Sequence, residues 1–143
     1  MNTDNKIKIV VVEDDLYYNR ILSKYIESLC QSGRYPGLKF QIKSYLTAED
    51  CLRDLDRDMN IMILDYYLTR EDVPNALTGE DVLQEVKKHA PDCKVIMCSS
   101  QRNLIRISRL LDKGIYDYVD KNVNTGNRIG KLIHRIIQND KNA

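Results

Sequence analysis

Short apolar runs alternate with amphipathic stretches along the whole chain, five of each, and this alternation limits the fold more than any other feature. The runs are IKIVVVE (7–13), KFQIKSY (39–45), IMILDY (61–66), KVIMCSS (94–100) and YDYVDK (116–121). Continuous apolar stretches of this length suit strands buried on both faces. KFQIKSY instead alternates apolar and polar residues, as an edge strand does. The intervening segments 16–29, 47–55, 78–89, 103–114 and 126–138 carry helical patterns; Ile21, Leu22, Tyr25, Ile26 and Leu29 recur at helical spacing. Thr47 and Asp50 form a capping-box pattern. The third helix has acids in its first turn and lysines in its last, as the helix dipole favours, and Gly114 stops the fourth. Parallel strands need crossover connections, so strict strand–helix alternation predicts a parallel sheet with helices on both faces. The crossovers are expected to be right-handed. With the first and third strands as neighbours, the order is 2-1-3-4-5, the flavodoxin-like doubly wound α/β arrangement.

A chain of 143 residues fits one domain, here 1–143 with a core from about 6 to 138. It is 43% hydrophobic and 30% charged, which is globular rather than disordered composition. No apolar run approaches the roughly 20 residues of a membrane span. MNTDNK carries no apolar signal region, so a cytoplasmic protein is expected. The four cysteines form no CxxC pair, and with only two histidines they point to buried thiols rather than a zinc site. The net charge of +1 hides an asymmetry. Residues 1–100 hold 13 basic and 17 acidic side chains, whereas 101–143 hold 9 and 4. That mild basicity suits an acidic protein partner or an ordinary solvated surface. It is not the dense patch of a nucleic-acid binder.

The charges fall in one place. Glu13, Asp14 and Asp15 follow the first apolar run, and Asp65 ends the third. Ser99 and Ser100 end the fourth, and Lys121 ends the fifth. All lie at carboxyl ends of strands, the edge where open α/β sheets bind ligands. Carboxylates packed together repel unless a cation lies between them. An oxygen-only donor set without His or Cys suits Mg²⁺, and a lysine ammonium suits phosphate. Carboxylate nucleophile, divalent cation, hydroxyl and ammonium together suit reception of a phosphoryl group, chemistry that is mostly positioning and charge neutralisation.

VVEDD, ILDYYL, VIMCSS and YVDK, in this order and on these strands, resemble the receiver domain of two-component response regulators over about residues 6–138. The resemblance implies a signalling switch, not an enzyme acting on other substrates: it catalyses only its own phosphorylation and dephosphorylation. Asp65 matches the aspartate that takes a phosphoryl group from a histidine kinase or histidine phosphotransfer protein. Glu13 and Asp14 match the acidic pair that holds Mg²⁺ together with Asp65, and the Tyr67 carbonyl matches the backbone ligand. Ser99 and Lys121 match the hydroxyl and lysine that contact the phosphoryl group, and Tyr118 the aromatic that swings inward on activation. Tyr67 and Gln101 are expected to flank the site and to set the lifetime of the acyl phosphate. The downstream target is expected on the face of the fourth helix, fifth strand and fifth helix, where Arg102, Arg106 and Arg109 are candidate contacts. The chain closes with QNDKNA soon after its last helix, so its output is expected to be a protein contact, unless it is a portion of something longer.

The chain departs from the family pattern in three places. Thr69 and Asn122 stand where prolines are usual, and Gly79 lies fourteen positions beyond Asp65, six more than usual. The Lys121–Asn122 peptide is expected to be trans, because a cis bond before a non-proline residue costs ~2.5–4 kcal/mol. The long connection 69–77 and the missing prolines motivate an alternative, a receiver-like interaction module that never takes phosphate. The residues also have plainer readings. Asp65 could be a solvated strand end, Glu13 and Asp14 helix caps, Ser99 a core hydroxyl, and Tyr118 a core aromatic. Lys121 could pair with Asp117 or Asp120. His134 reads as a helix-surface histidine rather than a phosphorylation site.

Overall fold

The computed structural model describes residues 5–68, 77–100 and 102–141. The strands are β1 (Lys6–Val12), β2 (Lys39–Tyr45), β3 (Ile61–Asp65), β4 (Lys94–Ser99) and β5 (Asp117–Asp120). The helices are α1 (Leu16–Cys30), α2 (Ala48–Arg53), α3 (Gly79–His89), α4 (Leu104–Asp112) and α5 (Thr125–Lys141). All strands are parallel, in the order β2-β1-β3-β4-β5. The expected fold and order are those observed. Boundaries differ by a few residues: strands stop slightly earlier than their apolar patterns suggest, which leaves Glu13 and Lys121 just past the ladder.

Successive strand residues face opposite sides of a sheet, and this period of two divides the core. Ile7, Ile9, Val11, Ile61, Ile63, Ile96, Cys98 and Val119 point to one side, where Leu22 and Ile26 of α1 and Ile129 and Ile133 of α5 cover them. Val10, Val12, Met62, Leu64, Val95, Met97 and Tyr118 point to the other, under Cys51 of α2, Val82 and Val86 of α3, and Leu110 of α4. Both faces of β3 are therefore buried, which is why its sequence reads as an unbroken apolar run. Full burial of each such side chain contributes about 1.5–3 kcal/mol.

Local signals set the helix starts. Asp15 accepts a hydrogen bond from the Tyr18 amide at 3.0 Å and caps α1. Thr47 accepts from the Asp50 amide at 3.1 Å. The reciprocal capping box belongs to α3, where Thr78 accepts from the Asp81 amide and the Asp81 carboxylate from the Thr78 amide. Gly79 donates its amide to the Tyr66 carbonyl at 3.0 Å. A Cβ there would lie 2.9 Å from the Tyr66 Cα and fall against the Asp65 carbonyl, so only glycine seats α3 on the end of β3. The connection 69–77 lies outside the described residues except for Leu77. Every described peptide bond is trans, that between Lys121 and Asn122 included. The four cysteines are free. Burial pushes the thiols of Cys51, Cys93 and Cys98 up to about 12 and that of Cys30 up to about 11. No described helix is long and apolar enough to cross a membrane.

Candidate functional site

The strand registers bring the predicted residues together. Val12 pairs with Leu64, so Glu13 and Asp65 occupy the next rung of neighbouring strands. Asp65 pairs with Cys98, and Ser99 with Asp120, which puts Lys121 one step beyond. Glu13, Asp65 and Lys121 also share a parity: each continues the row of strand positions that faces α1 and α5. Ser99 and Tyr118 belong to the opposite row. Two rows of side chains thus meet at one edge, at the point where strand order reverses.

Carboxylate oxygens of Glu13, Asp14 and Asp65 all lie within 4.8 Å of one another. Glu13 and Asp65 are buried, at 2% and 4% exposure, whereas Asp14 is exposed. The Lys121 ammonium pairs with Glu13 and lies 3.2 Å from Asp65. The Tyr67 amide donates to Asp65 at 3.2 Å, and the Asp15 amide to Glu13 at 3.2 Å. Asn19, buried on α1, donates to the carbonyls of Glu13 and Tyr45, both at 3.0 Å, and so ties the helix to the ends of β1 and β2. The Lys121 amide donates to the Ser99 carbonyl at 3.0 Å.

The electrostatics follow from crowding. Burial, then the neighbouring Asp65, raises the Glu13 carboxyl above its ordinary range. Burial and Glu13 do the same to Asp14. Asp65 is raised by burial despite its bonds to Lys121 and the Tyr67 amide. Burial opposes the charge on Lys121, but Glu13 and Asp65 outweigh it and raise the ammonium. One ammonium thus faces three carboxylates, and the surplus negative charge suits a small divalent cation. Three oxygen donors at one mouth, with no imidazole or thiolate among them, fit Mg²⁺.

The plainer readings of Asp65, of Glu13 and Asp14, and of Lys121 do not describe the site, whereas that of Tyr118 as a core aromatic agrees with its burial. Asp65 is no solvated strand end. Asp15, not Glu13 or Asp14, caps α1. Asp120 pairs with Arg102 at 2.8 Å, and Lys121 turns to the acids instead. Tyr118 is 7% exposed, and its hydroxyl donates to the Ser99 carbonyl at 3.5 Å, so the ring already points inward. His134 Nδ1 bonds the Tyr35 hydroxyl at 2.9 Å on the helix flank, away from the acids. Gln101 lies outside the described residues.

Tyr67 holds more partners than the sequence suggested. Its hydroxyl accepts from the Arg106 guanidinium at 2.6 Å, and that guanidinium stacks 4.3 Å from the centre of the Tyr66 ring. Arg109 and Lys113 meet Glu80 at 3.1 and 2.6 Å. Arg106 and Arg109, expected to contact a partner, therefore bind α4 to the end of β3 and the start of α3. No sequence spacing signals this, because Tyr66, Glu80 and Arg109 lie on three different elements.

The fold and site together are a doubly wound parallel sheet with an acidic cluster and a lysine at the carboxyl ends of its strands. The family model of the response regulator receiver domain matches residues 9–134, and the chain belongs to that family. Two-component response regulator ORR3 of Oryza sativa subsp. indica is 25% identical over 133 residues, covering 90% of this chain and 89% of that protein. Among solved structures, the response regulator DrrB of Thermotoga maritima matches with a TM-score of 0.73 at 21% identity, over 94% of this chain and 54% of that one. A response regulator receiver domain protein from Clostridium thermocellum gives 0.73 at 21% identity, over 94% and 97%. These likenesses are to the fold.

Proposed function

We propose that the chain is a single-domain receiver, 1–143, that accepts a phosphoryl group on Asp65 from a histidine kinase or histidine phosphotransfer protein and thereby switches a protein-binding surface. The observation that carries this is the meeting of Glu13, Asp14 and Asp65 within 4.8 Å beside the Lys121 ammonium. Asp65, Asp14, Glu13 and the Tyr67 carbonyl would hold Mg²⁺. When bound, the ion neutralises charge on the oxygens of the incoming group. An Asp65 carboxylate oxygen attacks phosphorus, and the bond from phosphorus to the donor breaks. The donor leaves with the electron pair, and the anionic carboxylate has no proton to lose. Lys121 contacts a phosphoryl oxygen, and the Ser99 hydroxyl donates to another.

The new group brings nearly two negative charges. Drawing Lys121 and Ser99 towards it redistributes contacts at the ends of β4 and β5, the strands that carry Tyr118 and abut α4. The exposed Leu104, Ile105 and Leu111 of α4 support the face of α4, β5 and α5 as the output surface. Exposed Leu16, Tyr17 and Ile21 of α1 and Val123 beyond β5 support an apolar rim for the phosphate donor. The function needs neither nucleic acid nor membrane, and the chain would act in the cytoplasm. Incubation with acetyl phosphate and Mg²⁺, followed by intact mass, tests the reading. A gain of one phosphoryl group that is absent in Asp65→Asn supports it. No gain in the wild type leaves the phosphate-independent interaction module.

A further inference from the structure

We propose that Thr125 and Tyr18 are positioning residues that hold Lys121 for phosphoryl transfer, a role that rests on Asp65 being the acceptor. Lys121 sits between two peptide units that one buried hydroxyl fastens. Thr125 is 4% exposed. Its Oγ1 lies 2.9 Å from the Asp120 carbonyl and 2.8 Å from the Asn122 carbonyl, and it accepts from the Asn122 amide at 2.7 Å. A hydroxyl has one proton to donate, so the two carbonyls share it while the amide bond stays fixed. The Asn122 side chain closes the turn by accepting from the Asn124 amide at 2.8 Å. The carbonyl before Lys121 and the amide after it are therefore held by the same oxygen.

The side chain is guided as well. The Lys121 ammonium lies 4.8 Å from the centre of the Tyr18 ring, within cation–π range. Backbone clamp and aromatic wall thus both bear on the ammonium that faces Glu13 and Asp65. Asn122 has an amide to donate where a proline would have none. The donated hydrogen bond, rather than a pyrrolidine ring, sets the chain direction here.

A lysine ammonium at the end of a flexible side chain must be aimed to touch a phosphoryl oxygen, and an ångström of misplacement in such a group can cost large factors in rate. Thr125→Val keeps the shape and removes the hydroxyl. With saturating Mg²⁺, its rate of phosphorylation by acetyl phosphate is expected to fall about ten-fold. Thr125→Ser restores it, and Tyr18→Leu falls likewise. Mg²⁺ affinity stays unchanged, because the acids remain in place. In a Lys121→Ala background, Thr125→Val adds no further loss. An equal loss in both backgrounds, or no loss in either, overturns the proposal.

A second readout does not depend on transfer. The Lys121 ε-methylene protons over Tyr18 should show an upfield ring-current shift by NMR, kept in Thr125→Ser and lost in Thr125→Val. If that shift survives in Thr125→Val, the clamp is wrong. A wild type that takes no phosphate yet shows the expected shifts refutes the acceptor role while leaving the placement of Lys121 intact.

Discussion

At the scale of single residues the site is built against its own stability. Asp65 and Glu13 are buried beside each other, and one lysine cannot balance them together with Asp14. Taking a carboxylate out of water is costly unless it is well paired. Asp65→Asn keeps an oxygen to accept from the Tyr67 amide and leaves Lys121 with Glu13. In a metal chelator, that variant is expected to be more stable by about 1 kcal/mol, or roughly 3–5 °C in melting temperature. Circular dichroism melts would show it, and a lower melting temperature would mean the ion pair outweighs the crowding. Tyr67 gives a second prediction. Its ring stands two residues after Asp65, the proposed acceptor, and is tied to Arg106, so it should screen an acyl phosphate there from water. Tyr67→Ala should lose phosphate several-fold faster, measured as decay of the phosphorylated mass after the donor is removed. Unchanged decay would count against the screen. Asp65, Glu13 and Lys121 were legible in the sequence because each ends or follows a strand run, which forces the charge to the sheet edge. Thr125 and Tyr18 were not, since their part depends on a turn geometry and a helix packing that no spacing encodes.

At the scale of elements, α4 joins a small apolar anchor to a fringe of charged contacts. Leu110 is its one fully buried residue, and Ile107 packs against the same core. Arg106 on Tyr66 and Tyr67, with Arg109 and Lys113 on Glu80, adds polar contacts. The Lys113 ammonium, then the Arg109 guanidinium, holds the Glu80 carboxyl below its ordinary 4.5. A carboxyl with a depressed folded value contributes stability above its unfolded value and loses it as pH falls through the folded one. Glu80→Gln should therefore be less stable than wild type at neutral pH, by less than about 1 kcal/mol because the group is partly exposed. The gap should close below about pH 4.5 in urea titrations run across pH. A gap that persists in acid would point to packing instead. The start of α3 was only half legible. Thr78, Gly79 and Asp81 carry the full capping box, yet the pattern was read at Thr47 and Asp50, where the Thr47 bond alone forms. The family spacing placed the glycine earlier; the structure seats Gly79 on Asp65 and Tyr66 despite the longer connection. The packing constraint at the strand end travels with the glycine, not with the length of the loop before it.

At the scale of the molecule, fold and site are one consequence of parallel pairing. The alternation of runs and helices made the sheet legible, and the strand order then brings residues 13 and 65 to one rung, with 121 two positions further along the same row. A cation bound only by the folded arrangement must stabilise it, by about 2.7 kcal/mol at a hundred times its dissociation constant. Mg²⁺ should accordingly raise the melting temperature of the wild type, and do so far less in Asp14→Asn; equal shifts in the two would place the ion elsewhere. The most direct measurement of the central claim is chemical trapping. Protein incubated with acetyl phosphate is reduced with borohydride, which converts a phosphorylated aspartate to homoserine, and the peptides are mapped by mass spectrometry. Homoserine at position 65, formed with Mg²⁺ and abolished by chelator, is the predicted result. A trapped product at another acid, or one at 65 that forms equally without the metal, would contradict it.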